Sequence, residues 1–227
     1  MVPVQFLLMI QFAEPKHTHP LSQRINEELS GKAYKPPPGA AIPRESMRLR
    51  ITEEKALIQW NTTSCSITVE ELSNQEYSID LIGSFLDRID EVARIDQMSM
   101  RRFGVYWILP TPNHDFSSLE RVYRATMITQ NEISDTAYDS SVILDIGAAE
   151  RTLHHQSGPM APEQLKHDYL RFKSDNVPKS FLFLETAIMD LNVVKYSNKD
   201  MVEFMRKSRN DCISHSRLFE KVWEGRL

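Results

Sequence analysis

The sequence predicts an α+β fold: a mainly antiparallel sheet packed by helices, with a long helix at the C-terminal end. Three observations predict it. An apolar, β-branched run, VPVQFLLMIQF, opens the chain. Several short alternating segments then follow one another with no helix between them, which favours an antiparallel sheet over a doubly wound parallel one. Two later segments carry apolar residues at helical spacing, at residues 77–94 and 198–224.

In chain order, Val2–Phe12 reads as a buried central strand. Residues 18–30 read as a helix capped by Thr18 or His19, with Pro20 in its first turn, Leu21, Ile25 and Leu29 on one face and Gly31 at its C-terminal stop. Residues 33–43, with Pro36-Pro37-Pro38-Gly39, read as a stiff loop. Residues 47–51, 56–60 and 66–70 form a three-strand meander with one solvated side. Residues 77–94 form the clearest helix: Ile79, Ile82, Phe85, Leu86 and Ile89 make one stripe, and Ser73-Asn74-Gln75-Glu76 offers a capping box. Residues 103–109, FGVYWIL, are a strand ended by Pro110.

The second half repeats this content loosely, without a residue-level repeat. Ser117-Ser118-Leu119-Glu120 opens a helix to about Met127, and residues 140–146 are a strand. Residues 150–176 are polar and aperiodic, which predicts a long excursion holding a short helix near residues 162–172. Residues 181–194 form one long strand or two with a bend, and residues 198–224 the final helix, stopped by Gly225. The halves divide at 1–110 and 111–227, as two α+β units, ferredoxin-like in one arrangement, or as one continuous domain.

Composition excludes more than it selects. The chain has 227 residues, 41% of them hydrophobic and 26% charged. A chain of that size buries roughly 70% of its unfolded surface, so it needs no disulfide or metal staple. Lys plus Arg is 27 against 31 for Asp plus Glu, a net charge of −4, without the basic excess of a dedicated nucleic-acid binder. Two cysteines, Cys65 and Cys212, fit a reducing compartment. The apolar N-terminal run has no basic residue before it and Glu14 soon after, unlike a secretory signal, and is shorter than the ~20 residues that span a bilayer. The expectation is a cytoplasmic protein with no membrane partner. Asn61-Thr62-Thr63 is a glycosylation sequon, without meaning in that compartment.

No catalytic motif is present. The sequence has no G-x-S-x-G elbow, no Walker A and no dinucleotide-binding glycine motif. Cys65 sits in a strand-like stretch and Cys212 among the core positions of a helix, so neither is placed to be a thiolate. His17 and His19 precede a helix without a third ligand nearby. His154 and His155, with Glu150, His167 and Asp168, form the densest set of ligand types, although adjacent histidines diverge on a regular element. Cys212 and His215 share a helical face, two ligands short of a zinc site. Asp87, Asp90 and Glu91 read as a solvated helix face. Asp145 and Asp190 interrupt apolar strands, so each faces solvent or is buried with a partner, for which Arg101 and Arg102 are candidates. Arg48/Arg50, Arg101/Arg102, Arg121/Arg124 and Arg206/Lys207/Arg209, with Trp60, Phe103, Tyr106 and Tyr123 nearby, would suit RNA stacking on a sheet, but the usual RNP sequence is absent.

The initial strand after an early proline, the segment ending RRFGVYWILP, and FLFLETAIMDLNVV followed by HSRLFEKVWEG resemble an uncharacterised, sporadically distributed family of prokaryotic proteins of similar length. Residues 103–109 match its mid-chain "IGLRYIN"-like strand, with Tyr106-Trp107-Ile108 in place of Arg-Tyr-Ile. Residues 184–194 match its late acidic strand, which Glu185 and Asp190 reproduce in part, and Phe219-Glu220 match a Phe-Glu pair near the end of the last helix. The resemblance implies an architecture and no activity, catalytic residue, cofactor or metal.

The leading expectation is a non-enzymatic interaction protein, an accessory component of a prokaryotic multi-gene system, whose partner is another protein or a second copy. The long last helix and Trp223 are available for packing on the same subunit or on another. One alternative is an RNA-binding or RNA-processing protein with ferredoxin-like halves, resembling CRISPR repeat endoribonucleases in size, with a basic cleft at Arg101, Arg102, Arg121 and Arg124 and His154 or His17 close by. Another is a metal-dependent hydrolase using His154, His155, His167 and Asp168.

Overall fold

The computed structural model describes residues 1–16, 46–70, 72–112, 114–128, 140–148, 150–172 and 177–224. The predicted helix at 18–30, the proline-rich loop at 33–43, His17 and His19 lie outside the described residues. The strands are β1 (Val2–Phe12), β2 (Ser46–Ile51), β3 (Ala56–Asn61), β4 (Ser64–Val69), β5 (Gln97–Pro110), β6 (Val142–Ala148), β7 (Arg151–Pro159), β8 (Phe181–Asp190) and β9 (Val194–Lys195). The helices are α1 (Gln75–Ala93), α2 (Phe116–Met127), a short α3 (Pro162–Gln164) that widens into a π turn over Leu165–Tyr169, and α4 (Asn198–Glu224).

The strands form one antiparallel sheet in the order β2-β3-β4-β1-β5-β8-β7-β6, with β9 added beside β5. From the central β1–β5 pair the order outward is the same on both sides: the last strand of a meander, then its middle strand, then its first. The chain thus lays down β1 with β2–β4 and then β5 with β6–β8. Residue 110 ends β5 inside this sheet; by strand order the second set opens with β5 itself, at Gln97. That set runs β5-α2-β6-β7-α3-β8-β9-α4. Its first six elements, β5-α2-β6-β7-α3-β8, follow the β-α-β-β-α-β order of a ferredoxin-like half, with α3 short.

Alternation on β1 explains the layers. Phe6, Leu8, Ile10 and Phe12 are buried against the stripe Ile79, Ile82, Leu86 and Ile89 of α1 and against Met201, Phe204 and Met205 of α4. Leu119 and Tyr123 of α2 join the same core. Asn74 caps α1 by accepting from the Tyr77 N–H at 3.1 Å, and Asp115 caps α2 by accepting from the Ser118 N–H at 2.7 Å. Each satisfies a donor left free by the helix start. Gly83 lets α1 and α4 close up, since a Cβ there would stand 2.7 Å from Val202 Cγ2. Trp223 packs within its own subunit, 2% exposed and 5.9 Å from the Tyr123 ring.

A smaller apolar cluster lies on the opposite face. There Tyr106, Ile108, Phe181 and Phe183 receive Met160, Leu165 and Leu170 from the segment around α3. The predicted excursion at 150–176 is therefore corrected in its first part: Arg151–Pro159 is β7, paired with β6 and β8. Its polar sequence hid it. One side of β7 meets solvent, and the other carries Leu153, His155 and Ser157 instead of an apolar run. The remainder holds the short helix as predicted. Residues 181–194 are two strands with a bend, where the Asp190 carboxylate accepts from the Asn192 N–H at 3.0 Å.

Candidate functional site

The long helices cover one face of the sheet; among the described residues, α3 with its flanks roofs one end of the other. The rest of that second face is the candidate site. Strand register orders its side chains into rows. One row runs Arg50, Leu57, Thr68, Leu7, Gly104, Ala187, His154, Asp145. The next runs Arg48, Gln59, Ser66, Met9, Arg102, Met189, Thr152, Gly147. Both cross from the β2 edge to the β6 edge. They begin on exposed arginines, pass over a mixture of small, apolar and polar side chains with Arg102 among them, and end in the first row on a carboxylate.

The centre of the face is a trough, because Gly104 and Ala187 are opposite each other and carry almost no side chain. A Cβ on Gly104 would stand 3.2 Å from the Ala187 Cβ. Arg102 lies on one side of this small pair and Glu185 on the other, and their ion pair bridges it. The pair is largely shielded, with side-chain exposures of 22% and 9%. Tyr106, opposite Glu185, has its hydroxyl pKa pushed up by burial and by the Glu185 charge.

The roof is tied down by polar contacts. Gln5 Nε2 donates to the Tyr169 carbonyl at 2.8 Å. Glu70 accepts from the backbone N–H groups of Arg171 at 2.5 Å and Phe172 at 3.0 Å. Burial raises the Glu70 carboxyl pKa, and those same hydrogen bonds oppose the rise. Arg50 donates to the Arg171 carbonyl at 2.6 Å and lies over the Phe172 ring, 4.5 Å from its centroid. Tyr169 closes the roof on Phe183, ring centroids 4.4 Å apart. A cavity of about 80 Å³ remains between roof and β7, lined by Gln156, Ser157, Gln164 and Tyr169 among others. A wider open cleft of about 550 Å³ lies at the end of the sheet, between Pro110, Pro112, His114, Phe116 and Lys179.

The residues singled out in the sequence separate. His154 is on the candidate face, its Nδ1 2.8 Å from the exposed Asp145 carboxylate. His155 points the other way, buried against His215 and Phe219 of α4. His167 and Asp168 are partners of each other on the roof, at 2.6 Å. Among the described residues, no group of three or more His, Cys, Asp or Glu side chains could hold a metal ion. Arg101 and Arg102 point to opposite faces. Arg101 pairs with Asp190 at 2.9 Å on the helix side, where its guanidinium also lies 4.3 Å from the Phe204 centroid. Arg121 and Arg124 are on α2, Arg124 beside Glu120 at 3.6 Å, so the four arginines form no common cleft. Arg206 and Arg209 hold α4 to Glu76 and Asp80 of α1. Asp87 receives Asn198 Nδ2 at 2.7 Å, joining α1 to the start of α4. Both thiols are buried, and burial pushes each up to about 12, far from thiolate chemistry.

Sequence reasoning missed Glu185 as the partner of Arg102 and Glu70 as the anchor of the roof. The signal for Glu185 was available: a carboxylate in FLFLETAIMD needs a cation as much as Asp190 does. Nothing local marked Glu70, whose partners lie about 100 positions away in sequence.

These features define an α+β protein with a mainly antiparallel sheet, carrying α1, α2 and α4 on one face and the short α3 on the other. No family model matches the chain, and no curated protein is similar to it in sequence. Among solved structures it is similar to Methanococcus jannaschii TBP, at 10% identity and a TM-score of 0.29, over 90% of this chain and 97% of that one. Among the described residues, no helix is long and apolar enough to cross a membrane.

Proposed function

We propose that this chain is a non-enzymatic interaction protein, an accessory component of a prokaryotic multi-gene system, and that it holds a protein partner on the face of its sheet opposite α1, α2 and α4. One observation carries the reading: that face spans the sheet from β2 to β6 and, among the described residues, is roofed at one end only. Its rows of Gln, Ser, Thr and Met side chains suit a hydrogen-bonding interface with modest apolar contact. The shielded Arg102–Glu185 pair gives its centre a fixed shape.

The test is affinity capture from the native host with three forms of the protein. Ser66→Lys with Gln11→Lys alters the open face, and Glu91→Lys alters the exposed side of α1. A partner identified with the wild type should be kept by Glu91→Lys and lost by the face variant. An unchanged set of captured proteins would refute the reading.

A second reading, single-stranded RNA on the same face, is favoured by Arg48, Arg50 and Arg171 at its β2 end. It requires binding at low salt that weakens steeply as salt rises and that Arg48→Ala with Arg50→Ala reduces.

A further inference from the structure

The two edges of the sheet are built differently. At the β2 edge the side chains of Arg48 and Arg50 are exposed on either side of the buried Leu49. Basic side chains there disfavour the approach of another strand. At the other edge β6, VILDIGA, exposes Ile143 by 56%, Leu144 by 47% and Ile146 by 49%. Among the described residues, no strand pairs with its outer side. Three large aliphatic residues on a seven-residue edge strand are unusual for a sheet that ends there, since an apolar edge with free N–H and C=O groups is a template for pairing.

Asp145 is the only charged side chain in β6. It is already engaged by His154 of the neighbouring strand at 2.8 Å, so it guards the edge less than a free carboxylate would. On the helix side, Leu144 is opposite His155, which touches His215 and Phe219 of α4. The exposed Leu218 and Val222 follow on that helix, 60% and 46% exposed.

We infer that β6 pairs antiparallel with β6 of a second copy of this chain, around a two-fold axis perpendicular to the sheet at Leu144. Such an axis keeps helices with helices and the open face with the open face, so residues that meet must share a face. That requirement admits only registers centred on a residue. Centring on Asp145 would oppose two carboxylates, which is unfavourable. Centring on Leu144 opposes Leu144 to its own copy and Val142 to Ile146, an all-aliphatic row on the helix side, and moves each Asp145 off the axis to face Ile143. The dimer would carry two open faces side by side on one continuous sheet. It stands independently of what those faces bind.

Sedimentation equilibrium over a wide concentration range tests this with the full chain. The wild type should run at twice the 26.3 kDa chain mass. Leu144→Lys should lose the two-chain species while keeping the wild-type circular dichroism, because Leu144 is half exposed, and Ile146→Lys should do the same. Arg48→Glu, at the opposite edge, should leave the dimer intact. Leu144→Cys should give a covalent dimer on mild oxidation, since Cys65 and Cys212 are buried. A wild type that stays at one chain mass throughout, a Leu144→Lys protein still dimeric, or a Leu144→Cys protein that does not cross-link would each overturn the proposal. None of these outcomes decides whether the open face binds a partner.

Discussion

His155 lies edge-on to His215, ring centroids 5.0 Å apart, with both of its own ring nitrogens buried and, among the described residues, without a hydrogen-bond partner. A charged imidazole there would have no compensation, so burial first, and then the neighbouring His215 and His154, pull the His155 pKa down to about 4 from its ordinary 6.5. Burial lowers His215 as well. The folded protein therefore favours the neutral ring. The stability this contributes is complete above pH 6.5 and is lost as pH falls toward 4, where the folded state also takes up the proton. A shift of that size corresponds to about 3 kcal/mol. Urea unfolding at pH 7.5 and pH 4.5 should show a His155→Phe protein losing about 2–3 kcal/mol less than the wild type between the two. Equal losses would mean that His155 is not the acid-sensitive element.

Arg101 and Asp190 form the best-shielded ion pair on the helix side, with side-chain exposures of 17% and 10%. Burial opposes the Asp190 charge. The hydrogen bonds from Asn192 and Arg101 outweigh it, and its carboxyl pKa stays below the usual range. Removing one partner strands the other in a poor solvent. Asp190→Ala should cost about 3 kcal/mol, and Asp190→Ala with Arg101→Met should cost less than the sum of the two single changes. Denaturant midpoints for the four proteins supply the cycle; additive losses would show that the pair is not coupled.

The α1–α4 contact at Gly83 gives a second coupled pair. Alanine is about 1 kcal/mol better than glycine within a helix, but here its methyl would enter the space of Val202 Cγ2, at 2.7 Å. Gly83→Ala should destabilise by about 1–3 kcal/mol. In a Val202→Ala background the nearer obstruction is gone, leaving Asn198 Oδ1 at 3.2 Å, and the same change should cost less. Thermal unfolding of the single and double variants decides it: a Gly83→Ala change that destabilises equally in both backgrounds would place the cost elsewhere.

Elements with a strong apolar period are legible in the amino-acid sequence itself. β1, α1 and α4 each present one stripe to one core, so sequence spacing and burial coincide. β7 is not legible, because its buried side holds His155 and Ser157, whose burial depends on α4 and on Tyr123, the latter donating to the Ser157 carbonyl at 2.7 Å. The open face is legible only in pieces. Arg48, Arg50, Arg102, His154 and Asp145 each stand out, but which of them share a face depends on the β1–β5 and β5–β8 registers, and those are set by contacts between segments far apart in sequence. Adjacent pairs mislead for the same reason: Arg101 and Arg102, like His154 and His155, alternate across a strand and belong to different surfaces.

Asn61, which the sequence marks as part of a sequon, has a structural use at the β3–β4 turn. Its Oδ1 accepts from the Thr63 N–H at 2.8 Å and from the Ser64 N–H at 2.7 Å. A short side-chain carbonyl thereby takes the place of a backbone acceptor in the turn. The turn sets the register in which Trp60 meets Cys65, and both contribute to the main core. Asn61→Ala removes both acceptances and should lower stability by about 1 kcal/mol. Asn61→Asp keeps an oxygen in the same place and should recover most of that loss, whereas Asn61→Gly restores backbone freedom without an acceptor and should not. Guanidinium unfolding of the three variants separates these outcomes, and an Asn61→Asp protein as unstable as Asn61→Ala would show that the oxygen does not hold the turn.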